Sequence, residues 1–399
     1  MDRVEARKQA YKQVAARLDP EYDQTVDRIE TVKQFIVDRG GVIYGGTAID
    51  YALRLRGDSI YDDSALDIPD LDFFLRDSVA GAYDLADILY QEKSEESRAI
   101  VAIHVETMRV DSGKNHFIAD ISYMPMLDTI PTVTYSGMKC VHPDYQRCDL
   151  HSSLAFPFDN APREVIFDRW KKDIERLNKI DAAYPIDASK PESNPVTETH
   201  KYNGGVIYGW AAFCALVNGR GKRLATSFRY SKNALTFNTA HGMEYVTADA
   251  LPTGHSVKQY YVYANLVFSR AETGGVTYYS TADRKISTVL VGKLQCVCAQ
   301  GILHYMLGMW FYTKDSVYLA AYCDLWDLVK EHPPDSTLGL SVETYGVKNI
   351  NHAQIMHMKR IQGESITGLP RNYRPETGKR PEAFDYSSEY YQIDGREKQ

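Results

Sequence analysis

The residues with the greatest chemical capacity lie in three short strings. Asp70-Leu71-Asp72 sits in the run Pro69 to Phe74, Asp120 in the run Ala119 to Tyr123, and Gly45-Gly46-Thr47 follows Val42-Ile43-Tyr44. A strand alternates its faces with period two, so Asp70 and Asp72 point one way and Leu71 and Phe73 the other. On a strand from His116 to Tyr123, Ile118, Asp120 and Ser122 share a face. If these two strands are neighbours, three carboxylates converge. Convergence of like charge is costly without cations, and carboxylate oxygens are hard ligands that suit Mg²⁺. Two divalent ions held this way activate an attacking hydroxyl and stabilise a leaving pyrophosphate. Glycines at 45 and 46 let backbone approach a phosphate, and a following helix offers its free N–H groups and positive dipole end. The Thr47 hydroxyl is a further donor. Strand, Gly-Gly-Thr, helix, then strand with Asp-x-Asp is the layout of a nucleoside triphosphate site with its metals. Asp62 and Asp63, in the loop before the second strand, are rival acids in a less rigid setting.

The elements that must position these groups follow from periodicity. Val26, Ile29, Val32, Phe35 and Ile36 recur at helical spacing, and Gly40-Gly41 ends that helix. A short strand over 42–44 leads through the glycines to a second helix, Ala48 to Arg56, carrying Ile49, Ala52, Leu53 and Leu55. Strands are predicted over 69–74 and from Val101 to Val110, with a turn at Asp111 to Asn115 before the returning strand His116 to Tyr123. Ala161 to Ile180 reads as a helix with Val165, Ile166, Trp170, Ile174 and Leu177 as its apolar stripe. The apolar run Cys296 to Tyr312 contains Gln300 and His304; it is too short and too polar for a bilayer span and reads as a core helix. The expected organisation is an N-terminal helix over 1–20, a catalytic domain over 21–180, a linker over 181–203, a second domain over 204–362 and an extended tail over 363–399.

The division into two domains rests on an internal repeat. The string GGVIYG occurs at 40–45 and again at 204–209. Ala119-Asp120-Ile121-Ser122-Tyr123 is echoed by Ala264-Asn265-Leu266-Val267-Phe268, and Thr132 to Tyr135 by Gly275 to Tyr278. In the second copy Gly46-Thr47 becomes Trp210-Ala211. The run Asn233 to Phe237 stands where Asp-x-Asp is expected, and Asp120 becomes Asn265. On this alignment the second copy has lost every carboxylate of the first.

Composition sets the class. The 399 residues hold 46 Lys+Arg against 53 Asp+Glu, a net charge of -7, with 44% hydrophobic and 25% charged residues. These are the proportions of ordinary soluble globular chains and exclude disordered, collagen-like and disulfide-scaffold classes. The length suits two or three domains. An acidic balance still allows a local basic groove. Arg163, Lys171 and Lys172 on the helix after Ala161, interleaved with Asp168, Asp173 and Glu175, and the pair Lys222-Arg223 are candidates for nucleic-acid phosphates. The 29 tyrosines exceed the 13 phenylalanines by more than twofold. They serve either as half-buried sheet residues or as stacking platforms, with Tyr135, Tyr145, Tyr202 and Tyr208 as candidates for the second role. His104 and His116 lack partners at ligand spacing and read as structural. The six cysteines form no C-x-x-C pair, which indicates buried thiols in a reducing compartment. The charged N-terminus lacks the apolar run of a signal peptide.

Gly45-Gly46-Thr47, Asp70-x-Asp72 and Asp120 resemble the motifs of polymerase-beta-type nucleotidyltransferases. The fuller strings GGTAIDYALR, YDDS, PDLDFF, ADISY, HPDYQRCDLHSSLAFPF and PREVIFDRWKKDIERL resemble one branch closely. That branch is the poly(A) polymerase catalytic subunit of nucleocytoplasmic large DNA viruses, of giant-virus and poxvirus type. The long interval from Gly46 to Asp70 is similar to that branch. So are Thr344-Tyr345-Gly346 and the run Asn372 to Tyr386. The resemblance implies an α/β (α+β) polymerase-beta-like nucleotidyltransferase fold, here duplicated with a degenerate second copy. It implies template-independent transfer of AMP from ATP to an RNA 3′-hydroxyl by two Mg²⁺ or Mn²⁺ ions. Asp70 and Asp72 would bind both metals, Asp120 the metal nearer the primer, and Gly45, Gly46 and Thr47 the triphosphate. The implied partners are the RNA 3′ end and ATP, with a homodimer or a processivity subunit and no membrane, in the virion or host cytoplasm. The alternatives are a nucleotidyltransferase for another nucleotide or acceptor, and a non-enzymatic RNA-binding or assembly subunit.

Overall fold

A computed structural model describes residues 22–332 and 372–382, with breaks at 62–67, 94–95, 103–106, 113–115, 125–126, 157–165, 192–197, 203, 219, 225–227, 231–234, 240–241, 248–257, 263–265 and 281–285, and describes residues 10, 14 and 18 singly. The chain forms two compact units, Met1–Gln146 with Gln362–Tyr391, and Arg147–Ile361 with Gln392–Gln399.

The first unit opens with α1 (Tyr22–Asp38), which buries Ile29, Val32, Phe35 and Ile36. Gly40 ends it at φ 63°, and the Gly41 N–H closes the turn on the Ile36 carbonyl at 2.8 Å. A left-handed residue here releases the chain from the helix, which is why glycine occupies the position. Strand β1 (Val42–Ile43) then runs straight into α2 (Gly45–Arg54), so the glycine pair is the first turn of the helix and not a separate loop. Next come β2 (Leu71–Leu75), α3 (Ser78–Lys93), β3 (Ser97–Val101), β4 (Thr107–Ser112), β5 (His116–Tyr123), β6 (Thr132–Tyr135) and β7 (Met138–Val141). Helix α4 (Pro143–Ala155) follows; the division between the units falls within it, after Gln146.

Helix α3 has no counterpart among the predicted elements, although Val79, Ala82, Tyr83, Ala86 and Leu89 are all buried. The single strand expected from Val101 to Val110 is two strands, β3 and β4, paired antiparallel. The intervening run Ala102-Ile103-His104-Val105-Glu106 holds no Gly, Pro, Asn or Asp, so no turn residue announces the hairpin.

The seven strands form one sheet in the order β3-β4-β5-β2-β1-β7-β6. Strands β2 and β5 are parallel, with Asp72 opposite Asp120. Strands β4 and β5 are antiparallel, with Arg109 opposite Asp120. At the β3 edge Tyr373 adds a bridge, exchanging backbone hydrogen bonds with Ala99 at 2.8 and 2.9 Å. The Tyr373 hydroxyl donates to Asp87 at 2.5 Å, and Arg380 donates to Asp84 and to the Ala80 carbonyl on α3.

The second unit contains α5 (Ile166–Ala183), β8 (Glu198–Lys201), β9 (Val206–Ile207), α6 (Gly209–Val217), β10 (Phe228–Tyr230), β11 (Leu235–Thr239), β12 (Met243–Thr247), β13 (Lys258–Val262), β14 (Leu266–Thr273), β15 (Val276–Ser280), β16 (Thr288–Val291), β17 (Leu294–Val297), α7 (Ala299–Thr313) and α8 (Ser316–Glu331). Its large sheet has the order β13-β14-β15-β12-β9-β17-β16. Substituting β9 for β1, β12 for β2 and β13–β17 for β3–β7 reproduces the first sheet strand for strand. Strands β10, β11 and β8 form a separate three-stranded sheet.

This topology supports the duplication and corrects its alignment. Strand β5 corresponds to β15, not to the run around Asn265: Leu266, Val267 and Phe268 begin β14, and residues 264 and 265 lie outside the described residues. Strand β6 corresponds to β16, not to Gly275–Tyr278. The Asn233–Phe237 run does not stand in for Asp-x-Asp either, because β11 belongs to the small sheet. The counterpart of Asp72 is Glu244: the Tyr44 N–H donates to the Asp72 carbonyl at 2.9 Å, and the Tyr208 N–H to the Glu244 carbonyl at 2.8 Å. The second copy therefore keeps one carboxylate, with Gly242 in the place of Asp70 and Thr277 in the place of Asp120.

The core of this unit holds a polar chain. His151, fully buried, hydrogen-bonds the Gln300 amide oxygen through Nδ1 at 2.6 Å and the Tyr322 hydroxyl through Nε2 at 3.0 Å. An amide oxygen only accepts, so Nδ1 carries the proton and Nε2 accepts from Tyr322. Burial lowers the His151 pKa to about 3, and nearby Arg147 pushes it the same way. The unfolded chain takes up a proton near pH 6.5 that the native ring refuses until about pH 3. Stability from this residue is thus complete above pH 6.5 and falls with pH below it. Between pH 6.5 and 5 the wild type should lose about 2 kcal/mol more than His151→Asn, which urea midpoints at the two pH values measure.

Candidate active site

The sheet register sets one row of side chains across three strands: Arg109 on β4, Asp120 on β5 and Asp72 on β2. Asp70 lies just before β2. Carboxylate oxygens of Asp70, Asp72 and Asp120 all lie within 4.8 Å of one another. The Thr47 hydroxyl donates to the Asp70 carbonyl at 3.3 Å. Thr47 is buried, so its hydroxyl ties α2 to the backbone that carries Asp70. The expected donor to a phosphate is thus engaged in fixing an acid. Another anchor lies further along α2. Asp50 is buried, pairs with Arg54, and accepts the Ile60 and Tyr61 N–H groups at 2.8 and 3.0 Å.

Gly45 begins α2 at φ 70°, and a Cβ placed there would stand 2.6 Å from Asp72 Oδ2. Both conditions require glycine. The first turn of α2 therefore lies directly against the acid cluster. The other face of the row is apolar: Phe73 and Ile121 pair across β2 and β5, and both are fully buried.

Sequence reasoning missed Arg109. Its Nε and Nη2 donate to the two oxygens of Asp120 at 2.6 and 2.5 Å. The guanidinium carbon lies 4.4 Å from the centre of the Phe117 ring. The hydrogen bond to Asp120 raises the Arg109 pKa against the opposing effect of burial, and the charges of Asp120, Asp70 and Asp111 add to the rise. The signal was there: Arg109 lies on the strand that turns back into Asp120. The predicted turn at Asp111 to Asn115 already sets the Arg109 strand beside that of Asp120; the register shift between Val110 and Asp111 is what brings Arg109 opposite Asp120.

The other candidates fall differently. Arg223 pairs with Asp324, Asp327 and Asp187, and donates to the Ala188 carbonyl at 2.9 Å. A guanidinium so occupied is a poor candidate for RNA. Lys222 pairs with Glu331 at 3.0 Å on an exposed surface. Lys171 and Lys172 on α5 are exposed, whereas Arg163, Asp62, Asp63 and His104 lie outside the described residues. Tyr145 and Tyr208 are buried core rings, so neither is a stacking platform. Tyr135 stacks on Tyr51 with centroids 4.4 Å apart, in the wall of a cavity of about 490 Å³ that Thr47 also lines. All six cysteines are free and buried. No helix among the described residues is long and apolar enough to cross a membrane.

The family model for the poly(A) polymerase catalytic subunit matches residues 30–160. A relative from African swine fever virus that carries this name is 33% identical over 356 residues, covering 80% of this chain and 74% of its own. The chain belongs to the poly(A) polymerase catalytic subunit family. Another African swine fever virus relative is 42% identical over 210 residues, covering 52% of this chain and 44% of its own. A mimivirus relative is 29% identical over 163 residues, covering 40% and 26%. The crystal structure of the Megavirus polyadenylate synthase shares the fold, with a TM-score of 0.68 at 18% identity over 94% of this chain and 85% of that one. As a family member the chain is a polynucleotide adenylyltransferase, a poly(A) polymerase that joins AMP from ATP to RNA.

Gly45→Ala tests the close approach of α2 to the acids. Alanine at positive φ costs about 1–2 kcal/mol, and its methyl group displaces the Asp72 carboxylate. AMP incorporation should fall by at least about tenfold while far-ultraviolet circular dichroism stays near wild type.

Proposed function

We propose that Asp70, Asp72 and Asp120 are the catalytic acids, that they hold two divalent cations, Mg²⁺ or Mn²⁺, and that the first turn of α2 at Gly45, Gly46 and Thr47 takes the ATP triphosphate. The observation that carries this reading is the meeting of three carboxylates within 4.8 Å beside a helix N-terminus. The donor set fits such ions. All three groups are hard oxygen ligands. Cations bound there would stabilise the charge on the attacking and leaving oxygens of an in-line displacement.

The protein's own groups have distinct tasks. The β2–β5 register holds Asp72 and Asp120 side by side, and Thr47 fixes Asp70. The N–H groups and dipole of α2 suit the anionic end of ATP, and the glycines keep the backbone clear of side chains there. In the overall reaction the RNA 3′-hydroxyl gives up its proton to solvent as its oxygen bonds the α-phosphorus of ATP, the bond from that phosphorus to the oxygen bridging to the β-phosphate breaks, and pyrophosphate leaves with the electron pair. No template strand is needed for base choice. The exposed Lys171 and Lys172 supply sequence-independent phosphate contacts to the RNA.

An oligo(A) primer offered each triphosphate in turn should be extended with ATP, and chelation with EDTA should abolish extension. Asp70→Asn, Asp72→Asn and Asp120→Asn should each lower the rate by more than about a thousandfold with folding intact. Normal extension by any of the three would refute its assignment.

A further inference from the structure

We propose that Arg109 is the positioning residue of the acid cluster: it locks the plane of the Asp120 carboxylate and supplies the positive charge that lets three acids share one site before cations arrive. The inference rests on the reading of those acids as cation ligands. Arg109 takes both Asp120 oxygens in a planar fork, at 2.6 and 2.5 Å. A bidentate pair fixes orientation as well as distance, which a single contact does not. The guanidinium itself is held on its face by the Phe117 ring at 4.4 Å. Asp120 is nearly sealed, its side chain 7% exposed, so water gives little relief from its charge.

The second unit gives an independent observation. There the residue opposite Thr277 on β14 is Glu272. Arginine and aspartate have gone together, replaced by an exposed glutamate and a buried threonine. A pair needed only to hold β4 to β5 would have had the same use in both sheets. A pair that serves the acids has a use only where all three acids remain.

Three consequences separate this role from simple packing. Each oxygen keeps a second lone pair, so a cation can join Asp120 without expelling the arginine. Without Arg109, the cluster carries one more net negative charge, so its attraction for cations rises. Yet Asp120 loses its fixed plane, so the bound cations serve the reaction less well.

The test uses the full chain, Mn²⁺ alone as the probe, and the variants Arg109→Gln and Arg109→Lys. Mn²⁺ affinity is read by calorimetry, melting temperature in EDTA and in saturating Mn²⁺, and kcat and the KM for ATP by primer extension. Arg109→Gln should bind Mn²⁺ about tenfold more tightly. It should melt lower than wild type in EDTA and recover most of that loss in Mn²⁺. Its kcat should fall at least about tenfold with the KM for ATP within about twofold. Arg109→Lys keeps the charge and loses the fork, so its Mn²⁺ affinity should stay within about twofold of wild type while kcat still falls. An Arg109→Gln affinity equal to wild type, with the same melting deficit in both buffers, would overturn the role and leave the acid site standing. If the glutamine variant fails to fold, a wild-type kcat in the lysine variant overturns the role. Wild type that binds no Mn²⁺ overturns both this role and the reading beneath it.

Discussion

Mutual repulsion among three carboxylates is the constraint around which the first unit is organised. At a separation near 4.8 Å each charged pair opposes the other by about 3 kcal/mol in a partly screened site. The sheet absorbs this cost by covalent and hydrogen-bonded geometry. Parallel pairing of β2 with β5 sets the backbones of Asp72 and Asp120 directly opposite each other. The buried Thr47 hydroxyl pins the backbone at Asp70. Apolar side chains on the reverse of the same strands, Phe73 and Ile121 among them, provide the burial that keeps the strands together.

The second unit shows what the same architecture does when that constraint is lifted. Glu244 stands where Asp72 stands, one methylene longer. Its carboxylate accepts from the Trp210 N–H at 2.8 Å, from the Tyr305 hydroxyl at 2.6 Å and from the Tyr279 hydroxyl at 3.2 Å. The acid has turned onto the N-terminus of its own helix α6 and become part of the core. Gly209, at φ 54°, leaves room for that turn, as Gly45 does for Asp72. Burial and the Glu244 charge drive the phenols of Tyr208 and Tyr305 well above their usual range. The position where Asp72 joins the acid cluster in one copy is filled by core hydrogen bonds in the other.

Much of this was legible in the sequence, and the failures have physical causes. The first three acids and the glycine turn were readable because strand and helix periodicities are local. The helix over 22–38 followed from its apolar stripe in the same way. Arg109 was hidden because a bulge between Val110 and Asp111 shifts the β4–β5 register and so sets it opposite Asp120. The second copy was misaligned because short apolar echoes such as Leu266-Val267-Phe268 carry no register, whereas hydrogen-bonded sheet order does. Arg223 looked like a phosphate ligand because its acids, Asp324 and Asp327, lie about a hundred residues away in sequence.

The strap at Tyr373 has a consequence for how the molecule is made. The β3 edge of the sheet is capped by a residue 274 positions beyond Ala99. At the pace of ribosomal synthesis that interval lasts roughly 15 to 55 s. Throughout that time the open backbone of β3 is a template for any passing strand. The nascent sheet thus has a window for mispairing that stays open until Tyr373 has been made, and a chain cut before that residue would keep its acids and leave this border unguarded.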